Sequence, residues 1–316
     1  MQVGHSKVAI VGPGNVGSTF AFALMISGLA REIVLIGRNR EQAEGECMDL
    51  NHGASFVPPV HIYAAGYEGC KDADVVVITA GARQQVGETR LDLAQRNADI
   101  FKTIIPQIVE YEGNAILLVV SNPMDVLTYL TIKLSGLPPQ RVLGSGTVLD
   151  SSRFRFLISQ YCRVDPRNVH AYIIGEHGDT ELPVWSHASI GGMLFPQYCP
   201  ACKLQCDYKT ELGEIFEEVK NSAYKIIKVK GATYYAVALA LVRIVAAILR
   251  DENSVLPVST LIDDYYSIND VCLGIPSVVN RNGVERILKL DLPSAEQEQL
   301  RHSAQALKEV IAGIKW

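Results

Sequence analysis

The 316-residue sequence predicts an α/β protein in which a doubly wound, mostly parallel sheet in residues 1–146 is followed by an α+β domain in residues 147–316. In the first part, short apolar segments alternate with segments of helical periodicity, which is typical of parallel strands connected by helices. Beyond about Gly146 this alternation gives way to helices mixed with apolar strands. The length of the chain leaves room for two domains with a large shared core.

The strands of the first part are predicted from short apolar runs. They are Lys7–Val11, Glu32–Ile36, His61–Tyr63, Val75–Thr79, Ala115–Val120 and Arg141–Leu143. The segments between them place apolar residues at helical spacing, and the predicted helices are Ser18–Leu29, Arg40–Asn51, Leu91–Tyr111 and Pro123–Ser135. This alternation predicts a mostly parallel sheet covered by helices on both faces.

Apolar runs also indicate the elements of the second part. The predicted strands are Val169–Ile174, Val271–Leu273 and Gly274–Asn280. The most apolar helical stretch, Tyr234–Leu249, is too short to span a bilayer and contains Arg243, so it is predicted as a buried helix. The last segment, Ser294–Lys315, is predicted as an amphipathic helix. Its apolar face is formed by Leu300, Ala304, Leu307 and Ile311.

Composition argues against several classes of protein. The net charge of −5 disfavours a nucleic-acid-binding protein, which would carry excess positive charge. No charged segment followed by an apolar segment begins at Met1, so we expect neither secretion nor membrane attachment. Seven cysteines, an odd number, are typical of reduced thiols, and the chain is expected to be cytoplasmic.

Three of the cysteines, Cys199, Cys202 and Cys206, lie close together in sequence. Tetrahedral zinc normally takes a fourth protein ligand, and no histidine or further cysteine lies nearby. The segment is therefore interpreted as a variable surface loop rather than a metal site, and no bound metal is expected.

A glycine-rich turn follows the first predicted strand. The segment 12–17 reads GPGNVG and leads into the first predicted helix. Gly12 permits a tight turn, Gly14 lets the backbone approach a pyrophosphate, and Gly17 allows the helix to pack closely on the strand. The free N–H groups at the start of the helix attract phosphate. A strand, a glycine turn and a helix in this order predict a dinucleotide-binding domain of the Rossmann type.

The end of the second predicted strand departs from the usual pattern of an NAD site. An Asp or Glu normally stands there and binds the adenosine ribose hydroxyls. This chain has Gly37 instead, followed by Arg38 and Arg40. Loss of the acid with gain of cations is what a 2′-phosphate requires, so NADP is a candidate cofactor beside NAD. The alternative is that both arginines are solvated loop residues.

A histidine between two glycines is the first candidate catalytic residue. His177 follows an apolar run in the segment GEHGD, residues 175–179. Imidazole titrates near neutral pH, and a carboxylate that binds one ring nitrogen orients the ring and stabilises its protonated form. Asp150 is the candidate for that carboxylate. Taken alone, a histidine in this setting is more often a turn residue or a satisfied core residue.

The segment 80–90, AGARQQVGETR, has glycines on both sides of a polar stretch. This pattern indicates a hinged lid that would bring Arg90 to the site on closure. A cation at a helix start is not favoured by the helix dipole, which supports a role for Arg90 in ligand binding. An ordinary arginine on a helix face is the alternative.

Several ordered motifs together resemble the L-lactate dehydrogenase branch of the lactate/malate dehydrogenase family. They are the glycine turn 12–17, GARQ at 81–84, GETRLDL at 87–93, SNP at 121–123, Asp150 with Arg153, and GEHGD at 175–179. The likeness covers nearly the whole chain. Several motifs in one order are far more specific than any single motif, so the resemblance favours the catalytic interpretation of His177.

The resemblance implies a role for each polar residue of the site. Arg153 would bind the substrate carboxylate through its two-pronged guanidinium group. His177 would donate a proton to the carbonyl oxygen as hydride arrives at carbon, and Asp150 would hold the ring in place. Arg90 would polarise the carbonyl once the lid closes.

Further positions follow from the same resemblance. Asn122 matches the family residue that bonds the substrate oxygen, and Thr233 matches one that lines the pocket near the substrate side chain. Besides the glycine turn, Gly37 and Arg38, the positions expected to contact the cofactor are Val16, Tyr67, Thr103, Val120 and Asn122.

Gln84 bears on the choice of substrate. In the malate dehydrogenases of this family the matching lid position is typically Arg, which pairs with the second carboxylate of oxaloacetate. An amide cannot compensate a second buried negative charge, so pyruvate and L-lactate are favoured. Malate dehydrogenase is the alternative enzyme. A non-catalytic nucleotide-binding relative is a second alternative, which the presence of all the acid–base residues disfavours.

Two more residues match positions at which bacterial lactate dehydrogenases of this type bind fructose 1,6-bisphosphate between subunits. They are Arg155 and His170. A basic pair repeated across a two-fold axis would collect a phosphate from each side and favour an active homotetramer. The alternative is an arginine on a helix face and an incidental histidine.

Overall fold

The computed structural model describes residues 6–82, 87, 89–201 and 208–315, and describes only the backbone of residues 90, 199–201 and 208–211. The first part contains strands β1 (Lys7–Val11), β2 (Glu32–Ile36), β3 (His61–Ala65), β4 (Val75–Ile78), β5 (Ile116–Val119) and β6 (Val142–Gly144). All are parallel, in the order β6-β5-β4-β1-β2-β3. This is the doubly wound Rossmann order, so the predicted fold class is confirmed.

The connecting helices are α1 (Asn15–Ser27), α2 (Arg40–His52), α3 (Arg90–Tyr111) and α4 (Met124–Ser135). Helix α1 begins three residues before the predicted Ser18 and ends at Ser27, because Gly28 adopts a left-handed conformation with φ 64°. Helix α3 begins with a capping box, in which Thr89 and Asp92 bond each other's backbone N–H groups. Arg90 therefore stands at the first turn of a well-capped helix.

The second part begins with α5 (Val148–Cys162), followed by strands β7 (Val169–His170), β8 (Ile173–Ile174), β9 (Leu182–Pro183), β10 (Ser189–Ile190) and β11 (Met193–Leu194). Helices α6 (Phe195–Ala201), α7 (Tyr208–Lys230) and α8 (Tyr235–Leu249) come next. Strands β12 (Ser254–Ile262), β13 (Val271–Asn280) and β14 (Gly283–Ile287) precede the terminal helix α9 (Ser294–Gly313).

Two strand predictions for the second part were wrong. The run Val169–Ile174 is not one strand, because β7 pairs with β10 whereas β8 pairs with β9 in a different sheet. The runs Val271–Leu273 and Gly274–Asn280 form the single strand β13. Gly274 does not interrupt this strand. It is needed there, because a Cβ at this position would lie 2.7 Å from the hydroxyl oxygen of Thr147.

The strands of the second part extend the sheet of the first part. Strand β12 is antiparallel to β6, with Ser259 opposite Gly144, and the full order of nine strands is β14-β13-β12-β6-β5-β4-β1-β2-β3. Apolar side chains of α1, α8 and the central strands pack into the core beneath one face. Helix α8 is largely buried, as predicted. No helix within the described ranges is long and apolar enough to cross a membrane.

Candidate active site

The glycine turn between β1 and α1 has the geometry expected of a phosphate-binding loop. Gly12 has φ +106°, and a Cβ there would lie 2.4 Å from the backbone nitrogen of Ala80. A Cβ at Gly17 would lie 2.3 Å from the carbonyl oxygen of Gly12. A Cβ at Gly14, by contrast, would meet no atom of the described residues within 4 Å, so the backbone there is open to a ligand. The turn therefore fits the pyrophosphate of a dinucleotide.

The end of β2 lies against this turn. A Cβ at Gly37 would stand 3.0 Å from Cγ of Pro13, the second residue of the glycine turn. The side chain of Arg38 is exposed, whereas Arg40 forms an ion pair with Glu44 at 2.9 Å. Of these two arginines, Arg38 is the one that a phosphate would meet without displacing an acidic partner.

The other positions expected to contact the cofactor differ in burial and in location. Val16 in the first turn of α1, Tyr67 after β3 and Val120 after β5 are half-buried near the carboxyl ends of the parallel strands. Ligands of open α/β sheets bind at this edge. Thr103 is exposed on α3, where its hydroxyl donates to the carbonyl oxygen of Asp99 at 3.2 Å.

His177 and Asp150 are brought together although they are 27 residues apart in sequence. Nδ1 of His177 lies 2.6 Å from Oδ2 of Asp150, which is 1% exposed. The other oxygen of Asp150 accepts from Nη1 of Arg153 at 2.6 Å. Because Nδ1 is engaged, Nε2 is the ring nitrogen available for proton transfer.

These charges alter the acid strength of each group. The carboxylate of Asp150 raises the pKa of His177 to about 9, against the opposing effect of burial. Burial disfavours ionisation of Asp150, but the charges of His177 and Arg153 outweigh it and lower the pKa of Asp150. His177 is therefore protonated at neutral pH, as a proton donor must be.

A second buried carboxylate, Asp125 on α4, was not predicted from the sequence. Oδ2 of Asp125 accepts from the backbone N–H of His177 at 2.7 Å, and Oδ1 accepts from the hydroxyl of Ser259 at 2.6 Å. Burial raises the pKa of Asp125 to about 6, in spite of both hydrogen bonds. The available signal was an acid in the first turn of a predominantly buried helix, because such a residue needs buried partners.

The loop that carries His177 is fixed from two sides. Gly175, with φ +91°, exchanges two backbone hydrogen bonds with Gly274 of β13, at 2.8 and 2.9 Å. The N–H of Glu176 donates to the hydroxyl of Ser303 on α9 at 2.8 Å. The ring of His177 therefore projects from a backbone that strand β13 and helix α9 hold in place.

The His177–Asp150–Arg153 set opens into a cavity of about 320 Å³. Its lining residues are Leu93, Asn122, Pro123, Asp150, Arg153, His177, Gly178, Asp179, Glu181, Val219, Lys220, Ala223, Tyr224 and Ile227. Asn122 thus lines the same cavity as His177. Glu181 and Lys220 were missed, because nothing in their local sequence marks them.

Of the other three predicted substrate residues, the structure describes the side chain of Thr233 alone. Thr233 is half-buried after α7 and is not among the lining residues that the structure describes. Gln84 lies outside the described residues. For Arg90 only the backbone is described, but Leu93, one turn further along α3, lines the cavity. The start of α3 therefore lies at the cavity mouth.

The two candidate effector residues lie on neighbouring elements of the second part. Nε of Arg155 on α5 donates to the carbonyl oxygen of Ala171 at 2.9 Å, and its guanidinium lies 5.3 Å from the ring centre of Tyr172. Burial lowers the pKa of Arg155. His170 on β7 is exposed. Of the three cysteines considered above, Cys202 and Cys206 lie outside the described residues, as does the side chain of Cys199.

An acid–base pair next to an arginine, at the carboxyl edge of a dinucleotide-binding sheet, is typical of a nucleotide-dependent dehydrogenase. The chain belongs to the lactate/malate dehydrogenase family. Residues 6–144 match the model described as "lactate/malate dehydrogenase, NAD binding domain", and residues 147–315 match the "alpha/beta C-terminal domain" of the same family.

Similar proteins carry names from one branch of that family. An L-lactate dehydrogenase of Acetivibrio thermocellus is 56% identical over 96% of both chains. One of Thermoanaerobacterium saccharolyticum is 55% identical over 97% of this chain and 98% of its own. The crystal structure of a lactate dehydrogenase from a Medee basin deep-sea metagenome library superposes with a TM-score of 0.95, at 46% identity and 99% coverage of both chains. The resemblance inferred from the motifs is confirmed.

Proposed function

We propose that the protein is an L-lactate dehydrogenase that transfers hydride reversibly between a nicotinamide cofactor and pyruvate or L-lactate. The observation that carries the proposal is the 2.6 Å contact between His177 and Asp150 in a cavity that also contains Arg153. The names of the similar proteins support it. In this proposal residues 1–146 bind the cofactor and residues 147–316 supply the substrate site.

His177 is the proton donor of the proposed reaction. Its Nε2 gives a proton to the carbonyl oxygen of pyruvate, and the carboxylate of Asp150 stabilises the charged ring before that step and holds Nδ1 throughout. In the reverse direction neutral His177 accepts the hydroxyl proton of L-lactate. A nicotinamide dinucleotide bound at the glycine turn supplies or accepts the hydride.

The remaining polar residues orient the substrate and stabilise developing charge. Arg153 binds the substrate carboxylate, which fixes the carbonyl carbon in one orientation. Asn122 bonds the substrate oxygen, and Arg90 stabilises negative charge that develops on it. Gln84 and Thr233 are proposed to face the substrate side chain. Neither the malate dehydrogenase alternative nor the non-catalytic relative is favoured by the names of the similar proteins.

Oxidation of NADH and of NADPH, followed by absorbance with pyruvate or oxaloacetate as substrate, tests this proposal. We expect rapid oxidation with pyruvate and much slower oxidation with oxaloacetate. No turnover with either acid would support the non-catalytic alternative. A preference for oxaloacetate would support malate dehydrogenase.

We further propose that the cofactor site accepts NADP(H) as well as NAD(H). Without an acid at Gly37, the ribose loses a charge-assisted partner worth roughly 1.5–3 kcal/mol, and the repulsion that excludes a 2′-phosphate is also lost. Exposed Arg38 supplies a phosphate contact. The alternative, in which Arg38 remains in solvent, gives weaker NADH binding without use of NADPH.

Replacement Gly37→Asp should restore a preference for NADH by about 10–100-fold, which is the ratio that this energy range gives. Because the new Cβ would crowd Pro13 at 3.0 Å, the double variant Pro13→Ala/Gly37→Asp should show the larger shift. The measurement is the Michaelis constant for each cofactor, with Pro13→Ala alone as the control. A parent enzyme that already rejects NADPH by more than about a hundredfold would refute the argument.

We also propose that the protein is a cytoplasmic homotetramer that fructose 1,6-bisphosphate activates through Arg155 and His170. Exposed apolar side chains on the neighbouring helices α1 and α8, including Phe22, Ile26 and Leu239, favour burial against another subunit. The cytoplasmic location is supported by three described cysteines that are free thiols, Cys47, Cys70 and Cys272.

At low protein concentration, fructose 1,6-bisphosphate should lower the pyruvate concentration needed for half-saturation and increase the oligomer size. The variant His170→Gln should require about tenfold more effector, because one charge-assisted contact is lost. Arg167→Gln is the control, since Arg167 is nearby but pairs with Asp165 at 2.7 Å. Absence of any effector response in the parent would overturn the proposal.

A further inference from the structure

Glu181 is a buried acid in the cavity to which the proposed reaction gives no role. Its side chain is 7% exposed, and its carboxyl group forms no hydrogen bond or ion pair with any residue that the structure describes. One oxygen of Glu181, one of Asp150 and one ring nitrogen of His177 all lie within 4.8 Å of one another. Ionisation of a buried carboxyl group that accepts no hydrogen bond has a high free-energy cost.

We propose that Glu181 sets the alkaline limit of substrate binding: its neutral carboxyl group admits the substrate carboxylate, and its ionised form repels it. This inference rests on the proposed function, because the substrate is taken to be a 2-oxo or 2-hydroxy acid held by Arg153. When Glu181 ionises, its proton leaves to solvent and a negative charge remains in a cavity that has to bind another one.

The surrounding charges decide when Glu181 ionises. Burial raises its pKa to about 8, and the negative charge of Asp150 adds to this effect. His177, Arg153 and Lys220 act in the opposite direction and do not overcome it. Among the residues whose side chains are described, the charged or titratable groups around this cavity are Asp125 on α4, Asp150 and Arg153 on α5, His177 and Asp179 in the loop, and Lys220 and Tyr224 on α7.

His177 titrates in the same range, so the two groups have to be separated by experiment. Deprotonation of His177, with a pKa of about 9, weakens productive binding of pyruvate but favours that of L-lactate, whose hydroxyl proton neutral His177 accepts. A negative charge on Glu181 weakens the binding of both acids, because both carry a carboxylate. Comparing the pH dependence of KM for pyruvate with that for L-lactate therefore distinguishes ionisation of Glu181 from deprotonation of His177.

The test measures KM for pyruvate and for L-lactate at about pH 6.5 and about pH 9, with each protein's own value at the lower pH as its reference. In the parent, about pH 9 is one unit above the pKa of Glu181, so most of the protein carries the ionised carboxylate. This charge should raise KM for both acids about tenfold, in addition to any change caused by His177. Glu181→Gln should abolish this common rise. Glu181→Asp, which can still ionise, should retain it.

Asp179→Asn is the matched control, because Asp179 lines the same cavity but is exposed, and solvent screens its charge. It should keep the parent's pH response. An unchanged response in Glu181→Gln, or loss of the response in Asp179→Asn, would overturn the inference while leaving the proposed function intact. Failure of the parent to turn over pyruvate at either pH would instead refute the proposed function.

Discussion

Replacement of His177 by asparagine is expected to lower pyruvate turnover by about 10²–10⁴-fold while leaving dinucleotide binding nearly unchanged. The amide can still donate a hydrogen bond to Asp150, so the buried carboxylate keeps Arg153 and one neutral partner. The asparagine amide is not acidic, however, so it cannot transfer a proton to the carbonyl oxygen of pyruvate. Steady-state kinetics with pyruvate and fluorescence titration with NADH measure the two effects separately.

His187→Asn is the control for this variant. His187 is half-buried like His177, but its Nδ1 lies 2.8 Å from the hydroxyl of Ser186 and the residue does not line the cavity. We expect this variant to keep most of the parent's turnover. If His177→Asn kept more than about half of it, the proposed role of His177 would be wrong.

Replacement of Gln84 by arginine is expected to change the preference between pyruvate and oxaloacetate by about 10²-fold or more. A buried cation left without a partner costs about 3–5 kcal/mol, and oxaloacetate supplies a second carboxylate that pyruvate lacks. The preference should therefore move toward oxaloacetate as pyruvate turnover falls. The measurement is the ratio of kcat/KM for the two acids.

Gln85→Arg introduces the same charge one position further along and serves as the control. Both residues lie outside the described part of the chain, so the expectation depends on the sequence motif around them. An equal change of preference in both variants would indicate a general effect of positive charge. An unchanged ratio in Gln84→Arg would show that this residue does not face the substrate side chain.

The central strands of the parallel sheet were predictable because they are buried on both faces. Strands β1 and β2 have the bounds that their apolar runs predict, Lys7–Val11 and Glu32–Ile36. Strand β12 was not predicted, since polar Ser259 interrupts its apolar pattern in order to donate to Asp125. Local composition does not predict a strand whose apolar pattern is interrupted by a side chain of the site.

Predictions failed mainly where the structure depends on contacts between distant parts of the chain. The run Val169–Ile174 is broken because its two ends pair in different sheets, and the carbonyl oxygen of Ala171 between them accepts from the side chain of Arg155. Asp125 accepts its hydrogen bonds from His177 and Ser259, which are 52 and 134 residues away in sequence. No local pattern predicts such partners. Residue chemistry made Asp150 a candidate partner of His177, and the family resemblance then favoured this pair.

Because β12 pairs with β6, the chain cannot be cut between its two halves without breaking the sheet. Gly144, the last residue of the first matched region, lies opposite Ser259, so the boundary between the family's two matched regions falls inside one continuous sheet. A fragment cut there would expose the backbone of β6 as a bare edge, open to aggregation. It would also deprive Asp125 of both partners. The two halves are therefore not interchangeable modules, and neither can be grafted onto another protein without a replacement for the missing strand.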